Sequence, residues 1–270
     1  MIFYFSSTGN TAWAARQLAE ATGERLISIP DHMEQSHFTL QPGERIGFCF
    51  PVYGWRPPTI VLDFVSRLRL GDIRGHYAYL LCTAGDTTGE ACQLMARALS
   101  EAGIEARDWF ALLMPESYVG LPFMDVDTPE NELRKKQRAE EELREYLPRI
   151  LEADTQADRQ TFRHLHAGRW PRINSRLLGW LFQRFLVKDS SFHVDPSACR
   201  KCGLCARLCP EDNIDCSEDG TPRWLHNGRC MTCFSCYHHC PTRAIAFGRQ
   251  TRHKGQYFYT RTNTAKQHKQ

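Results

Sequence analysis

Residues 1–11 read Met1-Ile2-Phe3-Tyr4-Phe5-Ser6-Ser7-Thr8-Gly9-Asn10-Thr11, five apolar residues running straight into a polar loop around one glycine. The apolar run is short, rich in aromatic residues and bounded by turn formers, which reads as a buried strand. A helical pattern over Asn10–Thr22 follows at once, so the loop lies where a strand hands over to a helix N-terminus. Hydroxyls and backbone N–H groups converge there on a positive helix end, a place suited to a phosphate. An ordinary helix cap is the competing reading, but a cap uses one side chain. This loop offers five: Ser6, Ser7, Thr8, Asn10 and Thr11. It has neither the Lys of a nucleotide P-loop nor a G-x-G-x-x-G pattern.

The alternation continues outward to residue 152. Strands are expected over Ile2–Ser6, Arg25–Ile29, Arg45–Phe50, His76–Thr83 and Ala106–Met114, and helices near Asn10–Thr22, Pro57–Leu68, Thr87–Glu101 and Pro129–Leu151. Asp127 or Thr128 can cap the last helix, with Pro129 in its first turn. The spacing predicts an α/β fold, a doubly wound five-stranded parallel sheet with helices on both faces. Ligands of such sheets gather outside the carboxyl ends of the strands. Besides the first loop, Pro51-Val52-Tyr53-Gly54-Trp55 and Thr83-Ala84-Gly85-Asp86 fall there. Cys49, Cys82 and Cys92 read as small buried hydrophobes of this part.

Cysteine takes over further on. Cys199, Cys202, Cys205 and Cys209-Pro210 form one C-x2-C-x2-C-x3-C-P run, and Cys230, Cys233, Cys236 and Cys240-Pro241 repeat it. Three thiolates two residues apart wrap three corners of a four-iron cubane, and the fourth reaches the other cluster. Cys199, Cys202, Cys205 and Cys240 therefore form one ligand set, and Cys230, Cys233, Cys236 and Cys209 the second. Zinc sites also use C-x2-C pairs, but they need no third Cys at that step. Cys216 reads as a non-ligand, Trp224 as a packing residue, and His238 and His239 as spacers.

Between these parts, 153–190 is a linker running from the polar stretch ADTQADRQ into Trp170–Val187. There Ile173, Leu177, Leu181 and Phe185 recur every fourth residue, with Arg169, Arg172, Arg176, Arg184 and Lys188 interleaved. A basic amphipathic helix can lie on a membrane or take a partner helix. The expectation adopted is that its apolar stripe packs between the two modules, leaving no peripheral membrane contact. The tail, 251–270, is polar and basic with YFY at its centre, and its last ten residues are expected to be disordered.

Composition bounds the classes. The 270 residues are 24% charged and 42% hydrophobic, which excludes wholesale disorder. No window of 18 apolar residues predicts a membrane span, and the start lacks the basic region of a leader peptide. Twelve cysteines without an export signal favour metal ligands in a reducing compartment, so the cytoplasm is expected. Net charge is −7 over residues 1–152, +4 over 153–190 and +6 over 191–270. The basic excess need not mean nucleic acid, because each four-thiolate cluster adds about −2 when oxidised. No nucleic-acid partner is expected.

Two resemblances sharpen the reading. The segment Asp195–Phe247 resembles the bacterial two-cluster ferredoxins, departing from them in the longer stretch EDNIDCSEDGTPRWLHNGR between the runs. The loop Ser6, Thr8, Gly9, Asn10, Thr11 resembles the FMN-phosphate loop of flavodoxins. That likeness implies that Tyr53 and Trp55 flank the isoalloxazine and that backbone donors of 83–86 meet its pyrimidine edge. The second aromatic that flavodoxins often carry in the later loop is missing; either Tyr118 or the ferredoxin module then covers the other flavin face.

A flavodoxin-like domain (1–152) before a small α+β two-cluster ferredoxin domain (191–250) resembles the flavodoxin–ferredoxin fusions of anaerobic bacteria, the EFR1-type ferredoxin family. The resemblance implies two [4Fe-4S] clusters and FMN, serving electron transfer to or from a partner oxidoreductase with no catalytic side chain. The alternative is an FMN-dependent reductase acting directly on a small molecule. A redox sensor is the weakest reading, since nothing resembles an output domain.

Overall fold

The computed structural model describes residues 1–152 and 160–260. The expected elements form in order as β1 (Ile2–Tyr4), α1 (Asn10–Thr22), β2 (Leu26–Ser28), β3 (Ile46–Pro51), α2 (Thr59–Arg67), β4 (Ala78–Ala84), α3 (Ala91–Glu101), β5 (Asp108–Leu113) and α4 (Pro129–Leu151). Between β2 and β3 there is a 3-10 turn at Pro30–His32 and a short strand at His37–Phe38, and no α-helix. Side chains alternate across each strand. Phe48, Phe50, Leu80 and Cys82 therefore share one core with α2 and α3, while Cys49, Tyr79 and Leu81 share another with α1 and α4. Cys49, Cys82 and Cys92 are all buried as small core residues.

All strand pairs of the main sheet are parallel, in the order β2-β1-β3-β4-β5, which is the doubly wound flavodoxin order. The sheet has a sixth strand where five are expected: β6 (Arg163–His164) pairs with β5 at the edge. Two residues in a polar stretch give no alternating pattern, so this strand is invisible to periodicity. A carboxylate anchors it. Buried Asp108 accepts two 2.9 Å bonds from Arg149, one from Tyr77 Oη at 2.8 Å and one from the Phe162 N–H at 2.7 Å. Residues 153–159, most of the polar stretch, lie outside the described residues, as do 261–270, the segment expected to be disordered. Thr128, not Asp127, caps α4 by accepting from the Asn131 N–H. Asp127 accepts instead from the Glu116 N–H and Lys135.

The second body has two antiparallel pairs: β7 (Phe192–Val194) with a late strand, and β8 (Ile214–Cys216) with β9 (Pro222–Trp224). Short helices α5 (Leu204–Arg207) and α6 (Ser235–His238) carry cysteines, and β10 (Ile245–Phe247) is the partner of β7. Its core is aromatic. Phe192 stacks on Trp224 at 5.4 Å and meets Phe234 and Phe247. Val119, from the loop after β5, is wholly buried in the same cluster, so the two bodies share a core.

Between them lies a bridging helix, 171–186, wound partly with wide i→i−5 turns. The expected apolar stripe is not the tightly docked face: Ile173, Leu177 and Phe185 are 48%, 54% and 57% exposed, while Leu181 and Phe185 face a cavity between the two bodies. The docked face carries Ser175, Gly179 and Phe182. Ser175 Oγ donates to the Trp55 carbonyl at 2.9 Å and accepts from the Glu90 N–H at 2.7 Å. A Cβ at Gly179 would lie 2.4 Å from the Gly54 carbonyl, so the helix backbone approaches as closely as only glycine permits. Hydrophobicity fixed that a face would pack; these small residues decide which one. Among the described residues no helix is long and apolar enough to cross a membrane.

Candidate functional site

The three loops at the carboxyl ends of β1, β3 and β4 converge because the strands are parallel and adjacent. Hydrogen bonds tie them together. Ser7 Oγ lies 2.6 Å from Tyr53 Oη, and Thr11 Oγ1 lies 2.8 Å from Thr83 Oγ1. Trp55 Nε1 donates to Thr87 Oγ1 at 3.0 Å. Around them is a cavity of about 530 Å3, lined by every candidate residue of the three loops except Gly9. That size falls in the usual range for small-molecule sites.

The helix-cap reading of the first loop fails. The residue preceding α1 is Gly9, at φ 95°, and no side chain caps the helix. The orphan N–H groups of its first turn are left for a ligand, which fits an anion at this helix end. Ser6 Oγ accepts from the Gly9 N–H at 3.1 Å. The Asn10 side chain is engaged at both ends: its amide donates to the Pro115 carbonyl and its oxygen accepts from Tyr257. Asn10 therefore acts through its backbone and as a fastening point.

The cavity wall also takes residues from outside the three loops. Leu178, Leu181, Phe182, Phe185 and Leu186 of the bridging helix form an apolar wall, and Met231, Thr232, Cys233 and Phe234 enter from the second body. Tyr118 stands among them, edge-on to Phe182 at 5.4 Å and to Phe234 at 5.3 Å. Burial pushes its phenol up to about 12. Tyr118 and the second body, the two options for covering a ring face, thus both reach the cavity, in contact through Phe234. The one available signal for the helix was that apolar residues occupy more than one of its faces. Glu116 also lines the cavity; its carboxylate accepts from the Ser117 and Tyr118 N–H groups at 2.8 Å. Burial raises its pKa against those bonds.

The eight doublet cysteines sort into two groups. One small cavity is lined by Cys199, Cys202, Cys205 and Cys240, another by Cys209, Cys230, Cys233 and Cys236. Each thus takes three thiols from one run and the fourth from the other. Among the described residues, no three His, Cys, Asp or Glu side chains converge as ligands of a single ion would. Backbone N–H groups of Lys201, Asn213 and Ala244 point at the sulfurs of Cys199, Cys209 and Cys240 at 3.4, 3.3 and 3.2 Å. Burial pushes the Cys205 and Cys230 thiols up to about 11 and Cys233 to about 12. Three thiols from one run with a fourth from the other is the ligand pattern of paired four-iron clusters, so the donor set fits iron–sulfur clusters. Cys216 belongs to neither group.

His238 is more than a spacer. It is buried, accepts from the Tyr257 N–H at Nδ1 and so donates from Nε2 to the Ser117 carbonyl at 2.7 Å.

Residues 192–241 match the family described as the 4Fe-4S dicluster domain. A ferredoxin of Pyrobaculum islandicum is 33% identical over 61 residues, 23% of this chain and 56% of that protein. The chain thus spans about half the length of that curated relative. Among solved structures, the Trp repressor binding protein of Bacillus subtilis covers 56% of this chain and 97% of its own at 17% identity, TM-score 0.33. Two-electron reduced Megasphaera elsdenii flavodoxin covers 53% of this chain and 99% of its own at 15% identity, TM-score 0.28. Those scores add nothing to the strand order. A sheet of flavodoxin order followed by a region that matches the 4Fe-4S dicluster domain gives the chain the architecture of a flavodoxin–ferredoxin fusion.

Proposed function

We propose that the chain relays electrons between two [4Fe-4S] clusters and one FMN, in exchange with a partner oxidoreductase in the cytoplasm. One observation carries the reading: the candidate phosphate loop and Cys233, a cluster-set cysteine, line the same cavity. When bound, the clusters exchange single electrons and the flavin one or two, which allows interconversion of one- and two-electron steps.

In this reading Ser6, Ser7, Thr8, Thr11 and the N–H groups of the first turn of α1 hold the phosphate, with the Gly9 N–H orienting the Ser6 hydroxyl. Tyr53, Trp55 and Tyr118 flank the ring, and backbone donors of 83–86 meet its polar edge. Cys209, Cys230, Cys233 and Cys236 hold the cluster nearer the flavin. The other set holds the outer cluster, where Cys202 is exposed among exposed Arg200, Lys201 and Arg207. An acidic partner surface docking there suits that rim. The alternative of direct small-molecule reduction finds less support, because the bridging-helix wall of Leu181, Phe182, Phe185 and Leu186 offers no polar group to orient a substrate.

The test is an anaerobic reductive titration of the purified protein, followed by visible absorbance. Uptake of about four electrons, one per cluster and two at the flavin, is expected. About two electrons, with flavin bleaching alone, would favour the reductase alternative.

A further inference from the structure

The tail beyond the second cysteine run returns to the first loop of the chain. From Thr251 to Tyr259 it crosses the join between the two bodies as a strap. Gln256 Nε2 donates to the Tyr237 and Cys240 carbonyls at 2.6 and 3.0 Å, and the Tyr257 N–H donates to His238 Nδ1 at 3.1 Å. Phe258 stacks on His239 at 4.8 Å. These contacts fix the strap to the segment carrying Cys236 and Cys240.

Its other contacts reach the candidate phosphate loop. Tyr257 Oη donates to Asn10 Oδ1 at 2.5 Å in a buried setting. The Tyr259 N–H donates to the Thr8 carbonyl at 2.8 Å, and the Tyr259 ring stacks on Trp13 of α1 at 5.5 Å. Lys136 of α4 donates to the Tyr259 carbonyl at 3.0 Å and lies over both tyrosine rings. The strap runs so near the loop that a Cβ at Gly9 would sit 2.9 Å from Tyr259 Cβ.

The geometry of one peptide gives these contacts a consequence. In a planar trans peptide the C=O and N–H point to opposite sides. With the Thr8 carbonyl drawn outward to Tyr259, the Gly9 N–H is turned the other way, toward Ser6 Oγ and the cavity side. The Tyr257 bond to Asn10 holds the next residue. Tyr257 and Tyr259 line no part of the cavity themselves, so they act through the loop.

We propose that this C-terminal strap, through Tyr257 and Tyr259, positions the Thr8–Asn10 loop for the phosphate of the bound flavin. The proposal rests on the FMN reading above. Tyr257 and Tyr259 are positioning residues, and the energy they contribute is confined to the phosphate end of the ligand.

Riboflavin, which lacks the phosphate, separates that role from general stability. Full-length protein, wild type and the Tyr257→Phe and Lys136→Met variants, is freed of flavin and titrated with FMN and with riboflavin by fluorescence quenching. Iron and sulfide are counted in parallel. Wild type should bind FMN more tightly than riboflavin. Tyr257→Phe should weaken FMN binding about five- to tenfold, the loss of one buried hydrogen bond. Lys136→Met, which removes the bond to the Tyr259 carbonyl together with the ion pair to Glu132, should weaken it by a similar factor, and both should leave riboflavin affinity within about twofold. Iron content should be unchanged. Equal weakening of both flavins would overturn the proposal as a general packing effect, and unchanged FMN affinity in both variants would overturn it outright. Wild-type protein that binds neither flavin would instead sink the FMN reading, and the strap's role with it.

Discussion

His238 Nε2 donates to the Ser117 carbonyl across 2.7 Å, joining a residue inside the second cysteine run to the loop that follows β5. With Val119 buried in the aromatic core of the second body, this bond makes the join part of the folded interior. His238→Leu would leave the Ser117 carbonyl and the Tyr257 N–H buried without their partner. A loss of about 1–3 kcal/mol is expected, read as a lower denaturant midpoint of the holoprotein. An unchanged midpoint would count against the join as a stabilising contact.

Cys240 lines the cavity of the first-run cysteines. Cys240→Ala should therefore damage the cluster of Cys199, Cys202 and Cys205 and spare that of Cys230, Cys233 and Cys236. Roughly half the iron and sulfide should remain, with one of two low-temperature EPR signals in the reduced protein. Equal loss of both signals would refute the cross-ligation.

Thr8 is buried in the first loop with its carbonyl already taken by the strap, so its hydroxyl is what a Thr8→Val change removes. Loss of one hydrogen bond to a charged phosphate should weaken FMN binding about 10- to 100-fold. Iron content should not change. Full flavin stoichiometry at dilute FMN would remove Thr8 from the site.

Asp108 carries the edge of the sheet. Burial acts to raise its pKa, but the Arg149 fork, the Phe162 N–H and Tyr77 outweigh it and hold the carboxylate below its ordinary range. A lowered folded value contributes stability above the unfolded pKa, about 4, and that contribution is lost as pH falls through the folded value. Arg149→Met strands a buried carboxylate and should cost about 3–5 kcal/mol at neutral pH. The gap from wild type in urea unfolding should narrow as pH falls from the folded value of Asp108 in the variant, raised by the loss of its partner, toward the lowered wild-type value, as Asp108 takes up a proton. A gap independent of pH would mean that the charge is not the cause.

Docking of an acidic partner at the rim of Arg200, Lys201 and Arg207 should depend on ionic strength. Electron transfer to a low-potential partner protein should slow several-fold between about 50 and 500 mM salt, as screening shortens the field. Transfer between cluster and flavin within the chain should not respond. A salt-independent partner reaction would place docking elsewhere.

The doubly wound sheet was legible because each strand and helix announces its own period, and Ile2–Tyr4 or Ala78–Ala84 is apolar enough to be a strand wherever it lies. The two thiol groups were legible for a related reason: ligand spacing within a run is local, and two identical runs imply each other. Likewise the first loop displayed its hydroxyls and glycine in six consecutive residues.

Other features depend on residues far apart in the chain. β6 forms because Asp108 captures the Phe162 N–H, 54 residues away. The bridging helix has apolar residues on several faces, and Ser175 and Gly179 select the docked one through Trp55 and Gly54. The tail reads as a polar basic segment, yet Tyr257 reaches Asn10 across 247 residues. The sequence by itself determined the five main strands and their helices, the grouping of the eight cysteines and the polar first loop, since each rests on residues adjacent or periodically spaced. Only the tertiary structure decided which helix face docks, what covers the cavity and where Tyr257 and Tyr259 attach, because those turn on close approach and hydrogen bonds between segments that no local pattern relates.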